Sequence, residues 1–513
     1  MPSKNKQLTI NTIAQMVSFF VNLGITFFLT PYIVSTLGTE AYGFVGLATN
    51  FVNYAQLITI VLNAMAGRFI TICYHQGNIQ KANQYFSSLF FANMVITFIL
   101  FLASIATIAC LDSIVHISPN LVLDVKALFA LTFLQFLISI AFNGYNVATF
   151  IKNRLELSSL RAIFSNIIRT ITLVLGFTFF SPAVWYIGLA AVLAVIYVVI
   201  TNINFLHRLT PELHVSILDF QFSKIKELIS TGVWNLIVRL GNILAEGFDL
   251  LLANWFITPA AMGILAITKS LSRRVLSFFG SINGAFAPMW TKLYAEGRKD
   301  ELAAEIQKSI RIFGFISALP LACIFAYGDW FYTLWLPKQD AHLLYLLTIL
   351  SIIDLPFTMP QEPLQNIFTI TNRVKFYSLF TLAQNICIFI CIILGIRMFN
   401  NFTEMLIVLA SVRSFWNLLK ALTFLPIYSA YCSNLKWSTF YDSIFKSIFS
   451  FVIATAVSLL LKQTVQVPSW GIFTLFCAIS LGISSVLNYM IILRKEDRLY
   501  LKQIFIKKIW KKK

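Results

Sequence analysis

The chain reads as a succession of long apolar runs separated by short polar connections. A run of about twenty apolar residues crosses a bilayer as an α-helix. Fourteen such helices are predicted, at approximately 8–37, 40–67, 84–111, 122–150, 158–180, 183–207, 229–256, 260–289, 303–328, 341–368, 375–396, 403–428, 440–461 and 470–493. Several exceed the minimum length, so tilt or extension beyond the hydrocarbon is expected. The fold class is an all-α membrane protein.

Within the apolar runs lie polar seams. Asn11, Gln15, Ser18, Asn22 and Thr26 recur at steps of three or four along the first helix, which puts them on one face. Pro31 removes a backbone hydrogen bond late in that helix and permits a bend. Gly38 then closes it, and Thr39 with Glu40 gives the next helix a cap and an acidic first turn. The arrangement returns 220 residues later, where Asn235, Arg239, Asn242, Glu246 and Asp249 form a second seam, followed by the turn Thr258-Pro259-Ala260. At that offset Gln15 meets Asn235, Asn22 meets Asn242, Thr26 meets Glu246 and Gly43 meets Gly263. Thr71, Tyr74 and Gly77 meet Thr291, Tyr294 and Gly297 in the same way. Matching seams around one loop indicate a parallel internal repeat of the kind found in transporters with two similar halves.

The repeat sets the domain boundaries. Residues 1–208 form a first lobe of six helices, and 209–228 a cytoplasmic linker. Phe220 to Ile229, with Lys224, Lys226 and Glu227, makes an amphipathic lead-in at the surface. Residues 229–430 form a second six-helix lobe and 431–493 an appended helix pair. The tail 494–513, rich in Lys with Leu, Ile, Phe and Trp between, fits an interfacial helix on anionic lipid as well as a plain retention tail.

Composition narrows the class further. With 58% hydrophobic and 12% charged residues and a mean hydropathy of +0.78, no sizeable soluble domain fits between the spans. The short basic start, Met1 to Lys6, has no small-residue cleavage site after it, so the first helix is expected to be retained. The net charge of +18 lies in loops beside spans, which points to membrane topology and excludes nucleic acid as the partner. One set of alternate loops carries Lys4, Lys6, Arg68, Lys81, Lys152, Arg154, Arg161, Arg208, Lys224, Lys226, Lys292, Arg298, Lys299, Arg373, Lys375, Lys436 and the basic tail. The other set carries only Lys126, Lys338, Arg397 and Lys462. The first set is assigned to the cytoplasm, with both termini inside. The seven cysteines read as apolar fillers and the five histidines as surface residues. No metal site, cofactor or phosphate-binding loop is expected.

Ionisable groups at membrane depth are costly and mark pathways or partners. The first half places only Arg169 there. The second places Arg239, Glu246, Asp249, Lys269, Arg273, Arg274, Asp354, Glu362, Arg413 and Lys420. Depth along adjacent helices matches Asp249 with Lys269 and Glu246 with Arg273, so salt bridges are one reading. The other is a cavity. Arginine donates two hydrogen bonds in a planar fork suited to phosphate. Arg169, Arg239, Lys269, Arg273, Arg274 and Arg413, with Asn22 and Asn242, are then the substrate-binding candidates, with Arg169 and Arg413 facing each other at mid-depth. Glu246, Asp249, Asp354 and Glu362 are candidates to bind a coupling proton or ion, or to neutralise the cations beside them.

The loop PYIVSTLGTEAYGFVGLATNF resembles the first-loop signature of the polysaccharide-transporter branch of the multidrug/oligosaccharidyl-lipid/polysaccharide exporter superfamily, and AGRFITICYHQGN resembles its second-helix exit. The region from LISTGVWNLIVRLGNILAEGFDLLLANWF to APMWTKLYAEGR resembles its seventh and eighth helices. Asp249 there matches a common acidic position and Pro288 a closing proline. The resemblance implies two six-helix lobes in a V around a central cavity, with alternating access. It also implies a flippase that moves an undecaprenyl-diphosphate-linked oligosaccharide (O-antigen, capsule or a similar glycan) across the bacterial inner membrane. Other polysaccharide assembly proteins are then possible partners. The alternatives are a multidrug or cation antiporter of the same superfamily and an integral-membrane glycan polymerase or ligase. The antiporter should favour a cavity with few cations, and the enzyme needs long outer loops that this chain lacks.

Overall fold

The computed structural model describes residues 4–270, 290, 293–294, 296–371, 373–464, 469–492 and 498; within its helices, side chains 4–9, 12–13, 64, 231–239, 241–247 and 369 are not described. Among the described residues all regular structure is helical. Among these residues twelve helices are long and apolar enough to cross a membrane. They coincide one for one with twelve of the fourteen expected spans. The other two, 229–256 and 260–289, fall where side chains 231–239 and 241–247 and backbone 271–289 lie outside the described residues. The chain divides into two compact units, Met1–Ala266 and Ile267–Lys513.

In the first unit, α1 (Lys4–Leu37), α2 (Thr39–His75), α3 (Ile79–Ala109), α4 (Val122–Ala141), α5 (Val147–Ile151), α6 (Leu155–Phe179) and α7 (Trp185–Leu209) are followed by α8 (Phe222–Phe256) and α9, helical from 259 to 270. The expected span 122–150 is interrupted. A short 3-10 turn, Asn143–Asn146, separates α4 from α5. Three asparagines serve this break: Asn63 Oδ1 accepts from Asn143 Nδ2 at 2.7 Å and from Asn93 Nδ2 at 3.1 Å, while Asn63 Nδ2 donates to the Thr59 carbonyl at 2.9 Å. Inside a bilayer such amides need protein partners, because lipid offers none.

The linker is not a free strap. His214 N donates to Asn83 Oδ1 at 3.2 Å, Ser216 N to Ser87 Oγ at 3.0 Å and Gln221 N to Ser88 Oγ at 2.9 Å, so its backbone is sewn to the polar face of α3. The lead-in expected over 220–229 is the start of α8 itself. Its Ile225 and Leu228 are buried in the same cluster as Ala82, Tyr85, Phe86 and Leu89, and only its opposite side, with Phe222, is exposed. The far end of α8 is clamped too. Asn254 bonds both the amide and the carbonyl of His116 at 2.9 Å, so this histidine, although exposed, anchors a loop.

Gly43 on α2 and Gly263 on α9, matched by the 220-residue offset, lie against each other. A Cβ on Gly43 would stand 2.8 Å from Gly263 N, and one on Gly263 would overlap the Thr39 carbonyl. Five helices that end toward the basic loops close with the same backbone bond to a carbonyl five residues back. The pairs are Asn78 to Cys73 (3.0 Å), Arg154 to Thr149 (2.7 Å), Arg298 to Leu293 (3.1 Å), Arg373 to Phe368 (2.8 Å) and Leu435 to Ala430 (2.9 Å). Gly77, Asn153, Gly297 and Asn434 precede four of these donors with positive φ, as this helix end requires. The matched Tyr74-to-Gly77 and Tyr294-to-Gly297 turns are thus the same turn.

The second unit holds α10 (Lys299–Trp335), α11 (Ala341–Ile352), α12 (Gln365–Ile370), α13 (Val374–Met398), α14 (Phe402–Leu422), α15 (Phe424–Cys432) and the appended α16 (Tyr441–Lys462) and α17 (Trp470–Ile491). The appended pair is built into this unit. Ser443, Ser447, Ser450, Ala454 and Ser458 are buried along one face of α16. Gly314 of α10 lies so close that a Cβ would overlap Ser447. Small residues let helix backbones approach in this way, and Ser447 Oγ donates to the Ile310 carbonyl at 3.1 Å across the gap.

Two measurements follow from these contacts. Gly263→Ala should lower the thermal unfolding midpoint in detergent by several degrees, the scale of an overpacked contact costing about 1–3 kcal/mol. Gly24→Ala, where a Cβ meets nothing, should not. The linker carboxylate Glu212 accepts the Tyr74 hydroxyl at 3.0 Å. Its pKa lies below the ordinary 4.5, through hydrogen bonds from its own backbone amide and from Tyr74, with the Lys152 charge adding to them. A depressed carboxyl stabilises the fold above its unfolded value and loses that contribution as pH falls through the folded one. Proteolysis of the linker should therefore rise below about pH 4.5, and Glu212→Gln should flatten that dependence.

Candidate functional site

The site grows out of a second interrupted span. The sequence Asp354-Leu-Pro-Phe-Thr-Met-Pro-Gln-Glu-Pro-Leu364 holds three prolines, and each removes a backbone donor. In place of one helix over 341–368 there is α11, a turn at Ile353 and Asp354, a short helix Leu355–Thr358, a 3-10 stretch Met359–Leu364 and then α12. This is the fourth span of the second half, as the Asn143–Asn146 break lies in the fourth span of the first. Interrupted spans in corresponding positions of two repeats are where transporters place their working groups.

Polar side chains of the broken span find partners on α14. Gln361, fully buried, donates to the Phe357 carbonyl within its own segment and to the Ala421 carbonyl, both at 2.9 Å. Asp354, also buried, accepts from Asn417 Nδ2 at 3.0 Å and from Ser414, and the Arg413 charge acts on it. Gln384 of α13 extends the network by donating to Asn417 Oδ1 at 3.1 Å. One step further along, Glu362 accepts from Gln365 Nε2 at 3.1 Å and interacts with the Lys420 charge. Lys420 Nζ donates to Thr381 Oγ1 at 3.3 Å and sits 4.9 Å from the centre of the Tyr377 ring. Two acid–cation pairs therefore lie in sequence between the broken span and α14: Asp354 with Arg413, and Glu362 with Lys420. The steps agree, eight residues on one side and seven on the other, which fits segments running in the same direction.

Chemically this is a charge-compensated core in a low-dielectric setting. Each charge is expensive alone and tolerable with its partner, so any event that binds or neutralises one member acts directly on the other.

The other sequence-derived candidates are distributed differently. Asp249, on α8, and Lys269, on α9, are both buried. Asn22 is half-buried on α1, and Arg169 is exposed on α6. The side chains of Arg239, Asn242 and Glu246, together with Arg273 and Arg274, lie outside the described residues. Asn417, Ser414, Gln384 and Gln361 were not singled out by sequence. The signal existed, because Arg413, Asn417 and Lys420 step by four and three along one helix face, as the seam of α1 does. Arg311 was also passed over. It is buried on α10 and donates to Ser443 Oγ at 3.1 Å, which ties it to the appended pair.

If the pairs hold the broken span, Arg413→Ala strands a buried carboxylate and should cost about 3–5 kcal/mol. Asp354→Asn in the same background should restore most of that loss. A double-mutant cycle on unfolding midpoints reads this coupling.

Comparison with known proteins places this geometry. The family described as "Polysaccharide biosynthesis protein" matches residues 8–294. A membrane protein of Bacillus subtilis (strain 168), EpsK, described as uncharacterized, is 27% identical over 99% of both chains. Among solved structures, an inward-facing multidrug resistance MATE family transporter of the MOP superfamily matches with a TM-score of 0.66 at 13% identity. It covers 81% of this chain and 99% of its own. The lipid II flippase MurJ, in an inward closed conformation, matches with a TM-score of 0.65 at 13% identity over 95% of this chain and all of its own. At such identities the likeness is one of fold.

Proposed function

Because the chain belongs to the polysaccharide biosynthesis protein family, whose profile covers more than half of it, we propose that it is a flippase for a polyprenyl-diphosphate-linked oligosaccharide. It carries the glycan of a surface polysaccharide from the cytoplasmic to the outer face of the bacterial plasma membrane by alternating access. The observation that carries this reading is the pair of charge couples beside the broken span, set in a fold shared with a lipid flippase and with exporters. A scaffold has no use for charges kept at membrane depth at several kcal/mol each.

In this account the cations recognise the diphosphate. Arg169, Arg239, Lys269, Arg273, Arg274 and Arg413 offer forked or point-charge donors, and Asn22 and Asn242 offer amides to sugar hydroxyls. Asp249, Glu246, Asp354 and Glu362 hold those cations at rest, and when a phosphate takes over a cation the freed carboxylate accepts a proton or cation. Substrate and coupling ion are then linked through one charge balance, and the broken span is the element that shifts. The loop charges support cytoplasmic termini. The basic tail then rests on anionic lipid.

Purified protein in sealed vesicles, given a fluorescent polyprenyl-diphosphate oligosaccharide under an imposed ion gradient, tests the reading. Wild type should move the lipid and Arg413→Gln should slow it at least about tenfold, the loss of one charge-assisted bond. Gradient-driven efflux of an organic cation, with no lipid movement, would replace the flippase by an antiporter.

A further inference from the structure

The helix ends facing the basic loops share one backbone turn but differ in how they neutralise the cation that follows it. Arg154 pairs with Glu156 at 2.7 Å, and Arg298 pairs with Glu296 at 3.0 Å and with Glu301. Arg373, in the corresponding place before α13, meets no acid. No acidic residue stands in the first turn of that helix, and among the described residues no carboxylate pairs with Arg373, Lys375 or Lys436. The Arg373 guanidinium instead lies 5.1 Å from the centre of the Tyr431 ring, a shelf that orients it, and shares a hydrogen bond with Cys432, which leaves its remaining donors for an anion.

The three cations border one patch. Val374 and Leu435 pack against the same buried cluster, built on Phe368, Leu425 and Phe440. Arg373, Lys375 and Lys436 are their chain neighbours, and Lys375 and Lys436 are exposed. Tyr431 and Trp437, beside them, are two-thirds exposed, at 65% and 66%. Amphipathic rings at the end of membrane spans sit at the level of lipid headgroups, and a group of Lys and Arg there attracts anionic ones.

We infer that Arg373, Lys375 and Lys436, with Tyr431 and Trp437, form a binding site for the phosphate of an anionic glycerophospholipid of the inner leaflet. Its residues are other than those of the paired charges inside the second unit. The phosphate bridges the Arg373 fork and the two ammonium groups. The aromatic rings hold the glycerol and upper acyl region, and the lipid supplies the negative charge that Glu156 and Glu301 supply at the sibling turns.

Full-length protein in nanodiscs of mixed phosphatidylglycerol and phosphatidylcholine, released for native mass spectrometry, tests this. Wild type should retain phosphatidylglycerol in preference to phosphatidylcholine. The triple variant Arg373→Gln/Lys375→Gln/Lys436→Gln should retain it at least about tenfold more weakly, as should Lys375→Gln/Lys436→Gln in lesser degree. The control Lys152→Gln/Arg154→Gln, at a turn with its own acid, should behave as wild type, and unfolding midpoints should report that all variants are folded. Equal retention in the triple variant, equal loss in the control, or no preference between the two lipids would each overturn the site. Displacement of the lipid by millimolar inorganic phosphate would also overturn it, assigning the patch to a free anion.

Discussion

A backbone interrupted inside a bilayer must find its hydrogen bonds within the protein, and the organisation of both units depends on that constraint. The fourth span of each half is broken, and beside each break polar side chains of the span bond groups on neighbouring helices. In the first unit the answer is neutral: Asn63, Asn93 and Asn143 satisfy one another. In the second unit it is ionic, with Asp354 and Glu362 on the broken span facing Arg413 and Lys420 on α14, and Gln361 reaching the Ala421 carbonyl. The same fold position thus carries a static device in one half and a chargeable one in the other. That asymmetry is the strongest structural reason to place function in the second unit.

The close approaches explain how such a chain stays compact without a large hydrophobic drive between helices. Lipid tails are as apolar as leucine, so packing and small residues decide which faces meet. Gly43 against Gly263 and Gly314 against Ser447 are contacts that a single added methyl group would disturb. The buried serines of α16 make the appended pair part of the second unit, and Arg311 anchors it with one more polar bond.

Much of this was legible in sequence, and the losses are instructive. Spans, polar seams, the 220-residue repeat and the shared Tyr-x-x-Gly turns follow from periodicity, because period and burial are directly linked. Asp354, Glu362 and Arg413 stand out as charges at membrane depth. What sequence did not give was the break itself. Pro356, Pro360 and Pro363 announce a disturbed helix, but the partners of Asp354 and Gln361 lie about sixty residues away, and only the fold brings Asn417 and Ala421 to them. The break at Asn143–Asn146 has no proline and was read as continuous helix. The linker was read as a surface element because alternation of Lys with Phe and Ile does not tell lipid from the flank of α3.

Glu362 and Lys420 are mutually compensating charges that hold the broken span. Exchanging them tests this most directly. Glu362→Lys and Lys420→Glu, each alone, should yield protein that is poorly folded by size-exclusion profile and unfolding midpoint. The double exchange Glu362→Lys/Lys420→Glu should recover most of both. A double variant no better than the worse single one would contradict the account and reduce the two residues to separate solvated charges.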